Sequence, residues 1–341
     1  MEEKMISLKE VINILNSSDS LDYAKEQFAR LELAEGIIST KDLLKEVIRD
    51  IDSKQETFNW EDDIESKYEI YIYDKYSKSY KTELNSLTGL FKDTHFKFID
   101  LSGMPIKKGS IDTSSMFSGC FNLESVNLSC LNGLSPEFLD DMFNNCELLR
   151  EIDLSEASGL QMHSMDRMLF GCTNLEKVKL PSDGMPKVFR AYQMFANCKS
   201  LKEVDLSNFG YENTGSQRRL QEMFNGCSNL ESVNLSQLVA SCESDTGRQF
   251  NFLNEMFKGC KNLKYLDISS FRLSYITTLT NMFSECSSLT SQNVKIKDEE
   301  YRKDIEYLIK NSEHVTDIGD VHSELRRLER DKGSFNTTSM F

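Results

Sequence analysis

Seven cysteines recur along the chain at a nearly fixed interval, and this spacing constrains the fold more than any other feature. Cys120, Cys146, Cys172, Cys198, Cys227, Cys260 and Cys286 are separated by 26, 26, 26, 29, 33 and 26 residues. Self-similarity with a period of roughly 20–50 residues marks a stacked array in which each repeat is one supersecondary unit. The first full copy, Met116 to Ser129, reads MFSGCFNLESVNLS. The next five read MFNNCELLREIDLS, MLFGCTNLEKVKLP, MFANCKSLKEVDLS, MFNGCSNLESVNLS and MFKGCKNLKYLDIS, and the last reads MFSECSSLTSQNVK. A degenerate copy ahead of them, LFKDTHFKFIDLS at Leu90–Ser102, lacks the cysteine and is one residue short.

The periodicity changes inside the phrase. Met, Phe and Cys at relative positions 0, 1 and 4 fit one face of a short helical turn, whereas Val126 and Leu128 alternate as a half-buried strand does. Each unit is therefore expected to be a helical turn leading into a short strand. Such a unit cannot bury its apolar face alone, but stacked neighbours share a continuous core. The methionines, phenylalanines and cysteines are expected to form ladders through it.

The phrase resembles the BspA-like leucine-rich repeats, the bacterial surface-protein repeat with the wording MF-x-x-C-x-x-L-x-x-L-D-L-S. The resemblance covers residues 89–296, about eight repeats. It implies an α/β fold, a right-handed leucine-rich-repeat solenoid with a parallel sheet on one face. It also implies protein binding and adhesion at a cell surface. The surface location does not carry over, because no secretion signal, lipobox cysteine or wall anchor is read in this sequence.

The flanks do not repeat. Residues 1–88 are expected to form a small α+β domain that caps or adds an effector function. Ser7-x-x-Glu10, Asp19-x-x-Asp22 and Ser39-x-x-Asp42 are capping-box-like helix starts. Tyr68–Tyr73 alternates as a strand that Asp74–Lys81 turns back upon. Residues 297–341 are expected to be a helical cap, with helices at 298–311 and 320–330. The closing phrase Phe335–Phe341 copies Ile111–Phe117, the opening of a repeat. It reads as a truncated copy that frays, or as an extra rung that docks on the array or another subunit.

Charge narrows the function classes. The 341 residues carry a net charge of −15, and residues 1–88 hold 12 basic against 20 acidic side chains. Such a surface repels phosphate backbones, so direct nucleic-acid or anionic-membrane binding is not expected, while a basic protein partner is attracted. No apolar run approaches the length of a membrane span, and Met1–Glu10 is charged with no signal-like apolar stretch after it. A cytoplasmic location follows as the expectation.

The chemistry expected of enzymes is missing from the pattern. His95, His163, His314 and His322 are scattered, and no nucleophile, zinc or phosphate-loop phrase occurs. One cysteine per repeat reads as a buried small hydrophobe, and no C-x-x-C pair suggests zinc. Cys130 and Cys242 fall outside the register and are the better candidates for exposed thiols. No catalytic residue, metal or cofactor is expected.

The candidates for partner binding lie on the strands and in the insertions. One outward column runs Ser125, Glu151, Lys177, Glu203, Ser232, Tyr265; the other runs Asp100, Asn127, Asp153, Lys179, Asp205, Asn234, Asp267. Lys177 and Lys179 stand between Glu151/Asp153 and Glu203/Asp205, so opposite charges are expected to pair on both sides. That pattern equally describes a self-compensating ladder or a polar recognition face. The two longer repeats add residues at 210–219 and 237–249, bringing Arg218, Arg219 and Arg248, and insertions in repeat proteins often map to the binding face. Trp60, set among carboxylates, is a further candidate because tryptophan is enriched at hot spots; a core role competes. The whole reads as a non-enzymatic protein-interaction scaffold. Two alternatives are an acidic, phage-encoded inhibitor that blocks a nucleic-acid-binding defence enzyme, and an exported adhesin.

Overall fold

The computed structural model describes residues 40–65, 72–74, 79–81, 84, 86–159, 161–185, 188, 190–207, 209, 219–236, 251–271, 276–297, 299–311 and 318–336. The repeats coil into a parallel β-solenoid. Each turn contributes three backbone segments, and each segment stacks on its counterpart one turn later.

The first segment forms a wall of three-residue strands: β4 (Phe98–Asp100), β6 (Ser125–Asn127), β8 (Glu151–Asp153), β9 (Lys177–Lys179), β10 (Glu203–Asp205), β11 (Ser232–Asn234) and β13 (Tyr265–Asp267), with β15 (Val294–Lys295) last. All pairings in this wall are parallel and in register, as in Ile152 opposite Val178 and Val233 opposite Leu266. The second segment is a ladder of short strands, β5 (Ser110–Asp112), β7 (Ser135–Phe138), β12 (Asn251–Phe252) and β14 (Ile276–Thr278), and of single bridges. It runs from Ser86 through Asp112, Phe138, Ser164, Arg190, Arg219 and Phe252 to Thr278 without interruption.

The third segment is the Met-Phe-x-x-Cys corner, and here the expected helical turn is replaced by a run of hydrogen-bonded turns. The reason is the destination of the N–H groups. In the copy around Met116, the N–H groups of Met116, Ser118 and Cys120 close turns onto Thr113, Ser115 and Phe117 at 3.2, 3.1 and 3.1 Å. Those of Ser115, Phe117 and Gly119 instead donate to the next turn, at Asp140, Met142 and Asn144, over 2.7, 2.8 and 2.8 Å. With every second donor committed between turns, an i→i−4 helical ladder cannot form. The alternation is set by left-handed residues immediately before Met and three after it, as at Ser115 (φ 56°) and Gly119 (φ 79°). A non-glycine residue in that region costs about 1–2 kcal/mol, and the inter-turn hydrogen bond from the same N–H offsets it. Where the preceding turn carries Asn or Asp at the second position, its side chain fills the room at the next: a Cβ on Gly171 would lie 2.3 Å from Asn145 Oδ1.

The core fills the space the three segments enclose. Met, Phe and Cys of each corner are buried from Met116 to Cys286. Phe91, Phe117 and Phe143 stack at 5.5 and 5.0 Å, and Phe195, Phe224, Phe257 and Phe283 at 5.3, 5.5 and 6.0 Å. Leu169 occupies the phenylalanine position between the two stacks.

The flanking regions join this core. Helix α1 (Thr40–Asp52) buries Leu44, Val47 and Ile48, strand β1 (Thr57–Asn59) pairs in parallel with β4, and Phe58 meets Phe91 edge-on at 4.9 Å. Strands β2 (Ile72–Asp74) and β3 (Ser79–Lys81) pair antiparallel, in the stretch expected to turn back on itself. The helix starts expected at Ser7 and Asp19 lie outside the described residues. At the other end α2 (Arg302–Asn311) and α3 (Ile318–Asn336) contribute Ile305, Leu308 and Val321 to the core. Arg302 Nη1 donates to the carbonyls of Ser291 and Val294, covering acceptors beside the last strand. Phe335 and Asn336, the start of the repeated closing phrase, are helical rather than extended; residues 337–341 lie outside the described set.

Candidate functional site

The side chains that identify the repeat are consumed by packing and register. Each corner thiol donates to a carbonyl one turn earlier: Cys120 to Phe91, Cys146 to Phe117, Cys227 to Phe195 and Cys286 to Phe257, over 3.0, 3.1, 3.0 and 3.0 Å. That carbonyl also accepts the N–H three residues on, as Phe117 O does from Cys120, so the thiol meets its second lone pair. Cysteine is thus small, apolar and a weak donor in one residue. In the degenerate first copy Thr94 takes the slot, its hydroxyl donating to Phe91 O at 2.9 Å. Burial pushes the thiols of Cys172, Cys227 and Cys286 up to about 12. All eight described cysteines are free. Cys130, read from sequence as a candidate exposed thiol, is partly buried and pushed by burial up to about 12. Cys242 lies outside the described residues.

The strand wall carries the remaining repeat signature. At its exit an Asp or Asn side chain accepts the N–H two residues on. This joins Asp100 to Ser102, Asn127 to Ser129, Asp153 to Ser155, Asp205 to Ser207, Asn234 to Ser236 and Asp267 to Ser269, all within 2.9–3.1 Å. The D-L-S wording is therefore an Asx turn that ends the strand. Two turns depart from it in both positions: the last, with Lys295 and Lys297, and one within the array, with Lys179 for the acid and Pro181 for the serine. Proline has no N–H to offer, so the acceptor has no task there.

The outward face places the expected binding residues unevenly. Lys177 lies 3.2 Å from Glu151, and Lys179 lies 2.5 Å from Asp153 and 3.6 Å from Glu151. The expected pairing on the other side is not made: among the described residues neither lysine forms an ion pair with Glu203 or Asp205. The wall explains the asymmetry, because β8 pairs with β9 but the next sheet starts afresh at β10. An opening of about 670 Å³ lies on that side, lined by Glu176, Ser200, Lys202, Glu203, Asn229, Glu231 and Ser232. Tyr265 is 44% exposed on the same face. Arg219 is exposed and bridges Arg190 and Phe252 through its backbone. Arg218, Arg248 and the insertion at 237–249 lie outside the described residues. Trp60 is only 3% exposed and belongs to the core, which removes it from any surface; the acids that flank it in sequence drew it outward on paper, while Phe58 and Ile64 beside it are buried.

A second polar band, not singled out from the sequence, follows the residues just ahead of each Met. Asp140 Oδ1 accepts the Ser164 hydroxyl at 2.5 Å and the Asp166 N–H at 2.8 Å. Asp166 accepts Arg190 Nε at 2.8 Å and the Tyr192 N–H at 2.9 Å, and Tyr192 donates to Glu222 at 3.2 Å. Burial raises the Asp140 carboxyl above its usual range. The signal was present as polar residues before every Met-Phe, but their varied identities hide a shared position. Among the described residues no group of three His, Cys, Asp or Glu could hold a metal ion, and no helix is long and apolar enough to cross a membrane.

This geometry defines a repeat protein of the parallel solenoid class, the chemistry that recurs from turn to turn being spent on stacking. More particularly, the chain belongs to the family described as Mycoplasma protein of unknown function, DUF285, whose model matches residues 85–209, 111–238, 194–320 and 251–340. No curated protein matches the chain.

Proposed function

We propose that this chain is a non-enzymatic scaffold that binds a protein partner through the outward strand face and the repeat insertions. The observation that carries the reading is the division of labour within each turn. Inward positions are buried apolar side chains and high-pKa thiols, whereas the wall offers a broad polar surface of exposed Glu, Lys, Asn and Tyr. Stacked repeats of this kind make extended binding surfaces. In finer detail the solenoid is a variant of the leucine-rich-repeat class, with residues 1–88 and 297–341 acting as its caps. No catalytic group, metal or cofactor takes part, nucleic acid and membrane are not ligands, and the protein works in the cytoplasm.

The test is capture by the full chain from native-host extract, followed by identification of retained proteins and direct binding of each purified candidate. Two variants accompany it, one with residues 237–249 shortened and one with Glu151, Lys177, Glu203 and Tyr265 changed to Ser. Specific binding that either variant abolishes while circular dichroism stays unchanged is the expected result. Purified candidates that bind both variants as well as the parent would remove the surface from the reading, and a turnover activity of the isolated chain would remove the scaffold.

A further inference from the structure

The wall is interrupted twice, while the two other ladders run on through both interruptions. Leu101, Leu154, Leu206, Leu235 and Ile268 each donate an N–H to the next turn, at Asn127, Lys179, Asn234, Asp267 and Lys295, over 3.1, 2.9, 3.3, 3.1 and 2.9 Å. Among the described residues Leu128 and Leu180, in the same register position, make no such bond. The wall thus falls into three sheets, β1-β4-β6, β8-β9 and β10-β11-β13-β15. Val126 and Val178 at the two edges are only partly buried, unlike Ile152, Val204 and Val233.

The second interruption, between the turn ending at β9 and the turn ending at β10, accumulates further losses. Leu169 breaks the phenylalanine stack on one side of it, and Pro181 and Lys179 replace the Asx turn at the strand exit. Lys177 and Lys179 pair backwards to Glu151 and Asp153, and among the described residues no ion pair closes the gap. The 670 Å³ opening begins at it, with Glu176 on the β9 side, and extends over the paired β10 and β11. Across the same step the corner stays fully bonded, with Arg167, Leu169 and Gly171 donating to Tyr192, Met194 and Ala196 at 2.7, 2.9 and 2.8 Å. Ser164 still bridges Arg190 in the second ladder.

We propose that this step is a hinge of the solenoid: the wall opens and closes between Lys177–Lys179 and Glu203–Asp205, pivoting on the corner and on the second ladder. On the third side Ser200 N–H donates to Thr173 O at 3.1 Å where the chain enters the wall, but over the strands themselves no hydrogen bond among the described residues crosses the step, so the solenoid bends toward and away from that side. The first interruption is the stiffer joint, because Phe117 and Phe143 remain stacked across it at 5.0 Å. Bending alters the spacing between Glu151/Lys177 and Glu203/Tyr265 and so the curvature of the outward face. The hinge does not depend on that face having a partner.

Pulsed electron-electron resonance on the full chain tests it, with Cys130→Ser and Cys242→Ser to leave the buried thiols as the only native ones. Three nitroxide pairs each span three strand steps of about 5 Å. Lys177→Cys with Tyr265→Cys crosses the proposed hinge. Phe98→Cys with Lys177→Cys crosses the first interruption. Glu203→Cys with Asn293→Cys crosses neither. The expected distance distribution is at least twofold wider for the hinge pair than for the uninterrupted pair, with the first-interruption pair between them. Equal widths, or a widest distribution for the uninterrupted pair, would overturn the proposal. Amide hydrogen exchange on the unlabelled protein gives an independent reading. Leu180 should exchange at least tenfold faster than Leu206; equal protection would count against the hinge.

Discussion

The corner and the wall of the same solenoid follow opposite rules. At the corner the backbone dictates the sequence: left-handed residues sit before and after Met-Phe in every full copy, and a thiol donates to the turn before it from Cys120 to Cys286. At the wall the side chains adapt to their neighbours, and strand pairing lapses twice. The difference lies in what each must satisfy. Corner backbone groups are buried and leave no alternative to their bonds, since an unpaired buried group costs about 1–3 kcal/mol. Wall groups face water on one side, which replaces a lost bond at little cost. The corner therefore holds the stack together, and the wall is free to vary.

If that division is right, the largest losses come from the corner. Met194→Ala or Phe195→Ala should destabilise the fold by roughly 2–5 kcal/mol through the cavity left behind, measured by chemical denaturation. A loss below about 0.5 kcal/mol would place these residues outside the core and break the comparison. The thiols give a second test through pH. Burial raises the folded-state values of Cys172, Cys227 and Cys286 to about 12 from an ordinary value of 9.0. Above the unfolded value the unfolded chain releases protons that the folded chain retains, so stability is fully present below about pH 9 and falls as pH rises toward 12. Each such cysteine contributes a slope of about 1.4 kcal/mol per pH unit in that window. Cys227→Ala should remove one such increment from the slope, and an unchanged slope would mean the thiol is not buried as described.

The sequence carried the corner further than the wall. The cysteine interval announced the array, and the Met, Phe and Cys ladders follow from positions 0, 1 and 4. The same spacing suits both a helical turn and a left-handed turn series, and only the destination of the N–H groups separates them. Gly119, Asn145, Gly171 and Asn197 at the second left-handed position were the available signal, one that a reading of apolar periodicity passes over. At the wall, Glu151, Lys177 and Glu203 are legible as neighbours, but their spacing alone predicts pairing on both sides. A break between β9 and β10 depends on whether strand edges meet, and Leu169, Lys179 and Pro181, which depart from the repeat wording, are its local marks. Trp60 was ambiguous because burial of an isolated aromatic depends on contacts distant in sequence, here the core formed with Phe58 and Phe91.

Within the wall, the interrupted and continuous parts should respond differently to the same truncation. Val233 is fully buried in the four-stranded sheet, whereas Val178 is partly exposed at the interruption. Val233→Ala should cost about 1.5–2.5 kcal/mol from lost burial and a small cavity, and Val178→Ala less than about 1 kcal/mol. Equal costs in denaturant titration would mean the interruption is not open to solvent and would weaken the contrast with the continuous sheet.

The smallest effect belongs to the outward charges and bears on why the lysines turn backwards. The Lys179 ammonium, through its hydrogen bond, together with Ser155 holds the Asp153 carboxyl down to about 2 from an ordinary 3.8. A depressed folded-state value contributes stability above the unfolded value, lost as pH falls from about 4 through about 2. Both side chains are close to half exposed, so solvent screening reduces the contribution to no more than about 1 kcal/mol. Lys179→Met should therefore leave the melting temperature nearly unchanged while the Asp153 carboxyl, followed by carbon-detected NMR titration, moves back up toward its ordinary value. The Glu203 carboxyl signal at neutral pH should be the same with and without the substitution, since among the described residues Glu203 makes no ion pair with Lys179. A coupled shift at Glu203 would show the lysine shared across the gap, and the two sheets on either side of it would then be joined electrostatically rather than left free to part.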